Sequence, residues 1–122
     1  MAFEEFNAKG GKFTPQIIIN KYGGFTLSSG MHHRFGIDKY SGIKLYYDVD
    51  SKRVGVKLIE GENTGMFKLK KRDNEKGAFF SARSFFAKYN IEPVKVYGRY
   101  APEETEDATF GKMFVITLKE KE

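Results

Sequence analysis

A chain of 122 residues with 40% hydrophobic content is long enough for one buried core and short for two. It contains no cysteine, which excludes a disulfide framework, a thiolate metal site and a cysteine nucleophile, and fits a reducing cytoplasm. A net charge of +5 favours polyanionic partners, and 12 Phe and 7 Tyr without any Trp require an aromatic-rich core.

From the N-terminus, residues 1–12 read as a flexible arm. They end in Ala8-Lys9-Gly10-Gly11-Lys12, whose glycines carry backbone entropy that packing has to offset, and only Phe3 and Phe6 offer an anchor. Glu4 and Glu5 stand where a signal peptide would be basic and then apolar, and no apolar run is long enough to span a membrane. Gln16 to Asn20, with three successive Ile, predicts a strand that stops at the turn signal Lys21-Tyr22-Gly23-Gly24. A short strand, Phe25 to Leu27, follows. Ser28 or Ser29 then caps a helix whose Leu27, Met31 and Phe35 recur on one face and which Gly36 terminates. Ile43 to Tyr47 and Val54 to Ile59 alternate apolar and polar residues about a turn at Asp48 to Arg53, which predicts a hairpin.

Phe67 to Arg72 opens a second series of elements, with a turn from Asp73 to Gly77. Phe79 and Phe80 lead into a helix capped by Ser81, with Phe85 and Tyr89 on one face, and Pro93 prevents its continuation. Val94 to Tyr100 and Met113 to Leu118 then predict a last hairpin around a long acidic loop, Ala101 to Gly111. The two series resemble each other. Gly23-Gly24-Phe25-Thr26-Leu27 leads into Met31, Arg34, Phe35, Gly36 and Ile37, and 54 residues later Gly77-Ala78-Phe79-Phe80-Ser81 leads into Phe85, Lys88, Tyr89, Asn90 and Ile91. Two copies are too few for a solenoid, so the repeat points to one domain, 13–122, made of half-domains 13–62 and 66–120 whose apolar faces cover each other. The expected core is Ile17, Ile19, Phe25, Leu27, Met31, Phe35, Ile37, Leu45, Val56, Leu58, Phe79, Phe85, Tyr89, Val94, Val96, Val115 and Leu118.

The order of strand, Gly turn, strand, capped helix and hairpin resembles the AbrB/SpoVT-type swapped-hairpin domain. The residues that carry the likeness are Ile17 to Lys21, Gly23 to Leu27, His33-Arg34-Phe35-Gly36-Ile37 and Gly42-Ile43-Lys44-Leu45. Two such halves in one chain are similar to the tandem MraZ-like arrangement. The resemblance implies a β-rich α+β fold, a pseudo-dimeric swapped-hairpin, barrel-like domain of eight or so strands with two short helices. It also implies DNA binding in a small bacterial or phage transcriptional regulator, with Lys21, Tyr22, Lys70, Lys71, Arg72 and Lys76 at the interface.

Residue chemistry adds to this. Phe67-Lys68-Leu69-Lys70-Lys71-Arg72 alternates so that a strand directs Lys68, Lys70 and Arg72 to one side, a row suited to neutralising phosphates. Lysines on an edge strand also serve simply to prevent aggregation, and that reading stays open. Tyrosines interleaved with basic residues suit base stacking in a single-strand binder, and the same pattern arises from strand packing alone. The acidic segment Glu103 to Asp107 is a candidate contact for a protein partner, as in a non-enzymatic interaction or inhibitor module, and a homodimer is a further possibility. His32-His33 are adjacent and lack a third ligand, and Asp48 and Asp50 lack the calcium-loop spacing, so no metal or cofactor is expected. No nucleophile elbow or phosphate loop occurs, and no catalytic activity is expected.

Overall fold

The fold is described from a computed structural model covering Phe3 and residues 15–61, 64–71 and 77–120. The predicted arm therefore lies outside the described residues except for Phe3, which is exposed and anchors nothing. Three apolar residues in a row make β1 (Ile17–Ile19), and the Gly23-Gly24 turn returns the chain as β2 (Gly24–Leu27). Helix α1 (Ser29–Phe35) follows, then a 3-10 turn (Ile37–Lys39) and the hairpin β3 (Gly42–Asp48) and β4 (Arg53–Ile59). The second series comprises β5 (Phe67–Lys68), β6 (Lys70–Lys71), β7 (Ala78–Ser81), α2 (Arg83–Lys88), α3 (Pro93–Val96), β8 (Gly98–Tyr100), β9 (Glu103–Asp107) and β10 (Gly111–Thr117).

These strands form two five-stranded antiparallel sheets. Sheet I has the order β6-β7-β2-β1-β8 and sheet II the order β5-β3-β4-β10-β9. Strands of both series meet in each sheet: β2 pairs with β7 and β1 with β8, while β4 pairs with β10 and β3 with β5. The chain crosses between sheets three times, through α1 between β2 and β3, at Leu69, which is buried between β5 and β6, and at Ala101-Pro102 between β8 and β9. The fold is thus α+β and strand-rich. Its ladders stay in two sheets, and the expected barrel does not close among the described residues.

The core lies between the sheets. Ile17, Ile19, Phe25, Leu27, Ala78 and Phe80 come from sheet I, and Ile43, Val54, Val56, Phe114 and Ile116 from sheet II. Its aromatic centre is Phe25, stacked on Phe80 at 5.1 Å and beside Phe86 at 5.7 Å. Helix α1 closes one side through Met31 and through Phe35, whose ring lies 4.6 Å from that of Phe114. Helix α2 closes another through Phe85 and Phe86, with Phe85 5.6 Å from Tyr47. Gly36 ends α1 in a left-handed conformation, as its position predicts, and its N–H bonds the His32 carbonyl.

Several expectations need correction. Val94 to Tyr100 is not a strand throughout, because Pro93, with φ fixed for a helix start, begins α3, and β8 starts only at Gly98. This adds a third helix and leaves Val94 exposed. Ala101 to Gly111 is not one loop, since Glu103–Asp107 forms β9 against β10. Ala82 rather than Ser81 occupies the cap position of α2, and Ser28 caps α1 without a side-chain bond to it, its hydroxyl accepting the Gln16 N–H at 2.9 Å instead. Two core assignments fail by a single residue. Phe80 faces inward and Phe79 outward, and Phe114 and Ile116 face inward where Val115 was expected. Phe25 and Phe79, aligned by the repeat, therefore point in opposite directions, so at these strands the repeat is one of elements and not of residue facing.

Candidate nucleic-acid interface

The outer face of sheet I collects the predicted basic residues. Alternation puts every second side chain of each strand on this face. The registers set Lys70 beside Phe79, Phe79 beside Thr26, Thr26 beside Ile18, and Ile18 beside Arg99, giving one row across all five strands. Lys70, Phe79 and Arg99 are exposed, and Ile18 and Thr26 are half-buried. None of the five strands contains Asp or Glu, whereas sheet II carries Asp48, Glu103, Glu104, Glu106 and Asp107. Sheet I thus carries basic residues alone, and sheet II carries both signs.

The β1–β2 turn supplies the rim of this face. The Asn20 side chain accepts the N–H groups of Tyr22 at 2.8 Å and Gly24 at 3.0 Å, and the Asn20 N–H bonds the Gly24 carbonyl at 2.9 Å. Such an Asx turn fixes the loop locally. Gly23 has φ +89°, and a Cβ there would come within 3.3 Å of Phe86, so the tight approach of the turn to α2 requires glycine. The Ala82 N–H donates to the Gly23 carbonyl at 2.9 Å and completes the anchor. Tyr22 is left 75% exposed on a rigid base. Beside it a recess of about 200 Å³ is lined by Asn20, Tyr22, Lys70, Phe79 and Arg83, among others.

The structure thus brings Tyr22 and Lys70 together, with Lys71 exposed next to Lys70 on β6. Lys21 lies on the same turn, its Nζ 5.2 Å from the Tyr97 ring in cation–π contact. Lys68 is exposed on β5 opposite Gly42 in sheet II, so the bend at Leu69 separates it from the row. Arg72 and Lys76 lie outside the described residues. Sequence reasoning missed two contributors, Phe79, assigned to the core by the repeat, and Arg83 on α2; Arg99, one of the basic residues interleaved with tyrosines, takes its place in the row through cross-strand register.

The tyrosines do not form one stacking groove. Tyr46 stacks on Phe110 at 4.3 Å on sheet II, Tyr47 lies against Tyr89 at 4.8 Å, and Tyr100 is buried with its hydroxyl donating to the Val96 carbonyl. Asp48 forms a turn, accepting the N–H groups of Asp50 at 3.1 Å and Ser51 at 3.4 Å. Hydrogen bonds from Ser51, with help from Asp50 and the Arg53 charge, hold its carboxyl below the usual range. Among the described residues no group of three or more His, Cys, Asp or Glu is placed to hold a metal ion, and no helix is long and apolar enough to cross a membrane.

No family model, curated protein or solved structure matches the chain.

Proposed function

We propose that the protein binds nucleic acid through the outer face of sheet I, with duplex DNA as the leading target and a regulatory role in a bacterial or phage cell. The observation that carries this reading is the charge segregation. Lys70, Lys71 and Arg99 sit on a sheet without a carboxylate, with Lys21 and Arg83 at its rim. A polyanion is attracted to such a face and repelled by the acidic strand β9. The interleaving of the two series in both sheets also supports a pseudo-dimer of swapped-hairpin halves.

A second reading, a single-strand binder, draws on Phe79 and Tyr22. Exposed aromatic rings beside Lys70 and Arg83 offer a surface on which bases can stack, a contact worth about 1–3 kcal/mol per base. Titrating fluorescent duplex and single-stranded oligonucleotides at two salt concentrations separates the readings. Four to five phosphate contacts give a log–log salt slope of about −4 on duplex DNA. Charge reversal at Lys70 and Lys71 together should abolish binding to either. Absence of binding to both forms below about 100 µM at low salt, weaker than common non-specific association, refutes the proposal.

A further inference from the structure

Away from the outer face of sheet I, two cavities occupy equivalent places in the two series. One, of about 440 Å³, lies below the end of α1 and is lined by Arg34, Phe35, Lys39, Tyr40, Lys57 and Lys112, with Leu58 and Phe114 behind them. The other, of about 520 Å³, lies below the end of α2, and Lys88, Tyr89, Lys52 and Leu118 stand there as Arg34, Phe35, Lys112 and Leu58 do in the first. A residue with positive φ follows each helix, Gly36 at 63° and Asn90 at 57°. The two cavities have diverged in charge. The second includes Glu92, 2.9 Å from Lys95, and Glu120, 3.7 Å from Lys52, so two of its three cations are matched within its own walls. The first has four basic residues and no acidic residue in its lining.

We infer that the cavity below α1 binds a phosphorylated small molecule bearing an aromatic ring, of mononucleotide size. Its volume falls in the range of small-ligand sites, about 300–1,000 Å³. Lys57 uses one proton to hold the Phe110 carbonyl at 2.7 Å, which fixes its ammonium at the cavity edge with two donors left for a ligand. Lys112 is shared with Glu104 at 3.3 Å, an exposed pair that a phosphate can displace. Arg34 supplies a guanidinium fork, the geometry that pairs best with phosphate oxygens. Lys39 lies with its Nζ 5.3 Å from the Tyr40 ring, which joins the charged and aromatic parts of the site. Phe35 and Tyr40 then offer ring faces to a base. A duplex backbone does not fit a cavity of this size, and the site is separate from the row on sheet I.

Isothermal titration of the full chain with ATP at low salt tests the inference, with adenosine and tripolyphosphate as partial probes. Saturable ATP binding is expected, at least about tenfold tighter than either probe, because ring and phosphates contribute together. Arg34→Ala with Lys39→Ala, both at exposed positions, should weaken ATP at least about tenfold, while Lys88→Ala and Lys70→Ala change it less than about twofold. Amide shifts on adding ATP should centre on residues 34–40. The inference is overturned by no saturable binding up to about 1 mM. It is equally overturned if Lys70→Ala or Lys88→Ala removes binding that the Arg34 and Lys39 changes leave intact.

Discussion

Phe79 and Phe80 are neighbours of the same type, and the fold assigns them opposite tasks. Phe80 is 2% exposed and sits in an aromatic stack, 5.1 Å from Phe25 and 5.6 Å from Phe67. Phe80→Ala removes the transfer free energy of a whole ring and leaves a cavity between two sheets that cannot collapse around it. The expected cost is about 3–5 kcal/mol. For a chain of this length, roughly 4 °C per kcal/mol lowers Tm by about 12–20 °C. Phe79 is 38% exposed on the outer face and pairs with Thr26 and Lys70. Phe79→Ala is expected within about 0.5 kcal/mol of the parent in stability. The same change should lose about 1–3 kcal/mol of affinity for a single-stranded oligonucleotide if the ring stacks on a base. Urea denaturation followed by circular dichroism measures the first pair of values, and oligonucleotide titration the second. Equal destabilisation by the two substitutions, or a larger loss at Phe79, would refute the inward assignment of Phe80 and with it the register of β7.

Three further outcomes follow from local geometry. Gly77→Ala puts a Cβ 2.1 Å from the Leu27 carbonyl oxygen at φ +99°, and strain plus a backbone clash should cost about 3–5 kcal/mol, whereas Gly36→Ala, at φ +63° with nothing within 4 Å, should cost about 1–2 kcal/mol; thermal melts compare them. Asn20→Ala removes the acceptor for the Tyr22 and Gly24 N–H groups and should cost about 1 kcal/mol in urea denaturation while weakening oligonucleotide binding through a looser Tyr22. Bonds from the Phe110 and Thr109 N–H groups hold the Asp107 carboxyl below its ordinary value of 3.8, so its stabilising effect is present above about pH 4 and is lost as pH falls through the lowered folded value; the Tm gap between the parent and Asp107→Ala should narrow on acidification, and a gap that widens would contradict the sign.

Much of the architecture was legible because it is written in local chemistry. The Gly23-Gly24 turn, the Gly36 helix end and the Asp48 to Arg53 hairpin each need a particular backbone conformation, and residues that permit it mark the place. Phase within short apolar runs was not legible. In Ala78-Phe79-Phe80-Ser81 either ring satisfies the alternation, and only pairing with Phe25 and Leu27 of β2 decides which enters the core. Met113 to Ile116 of β10 are four successive apolar residues, so both faces look buried, and pairing of Phe114 with Val56 settles it. The candidate interface was legible to the same depth. Lys70 and Tyr22 could be named from composition, but Arg99 reaches the row only because β8, 80 or so positions away in sequence, pairs with β1.

The placement of acids completes the argument for one functional face. Among the described residues strand β9 pairs only with β10, so its other edge is available for pairing with another chain. Glu103, Glu104 and Glu106 are exposed along it, and repulsion between like charges makes edge-to-edge association of two copies unfavourable. The same carboxylates make the β9 edge of sheet II a poor surface for a polyanion. Lys112 is tied to Glu104 there at 3.3 Å and Arg53 to Asp48 at 3.8 Å, so two of the basic residues on that sheet have acidic neighbours to answer them. On sheet I no strand supplies such a neighbour. A phosphate chain approaching the protein therefore meets basic residues without carboxylates on the strands of sheet I and repulsion along β9, so the acidic strand acts on orientation even though it lies outside the proposed contact.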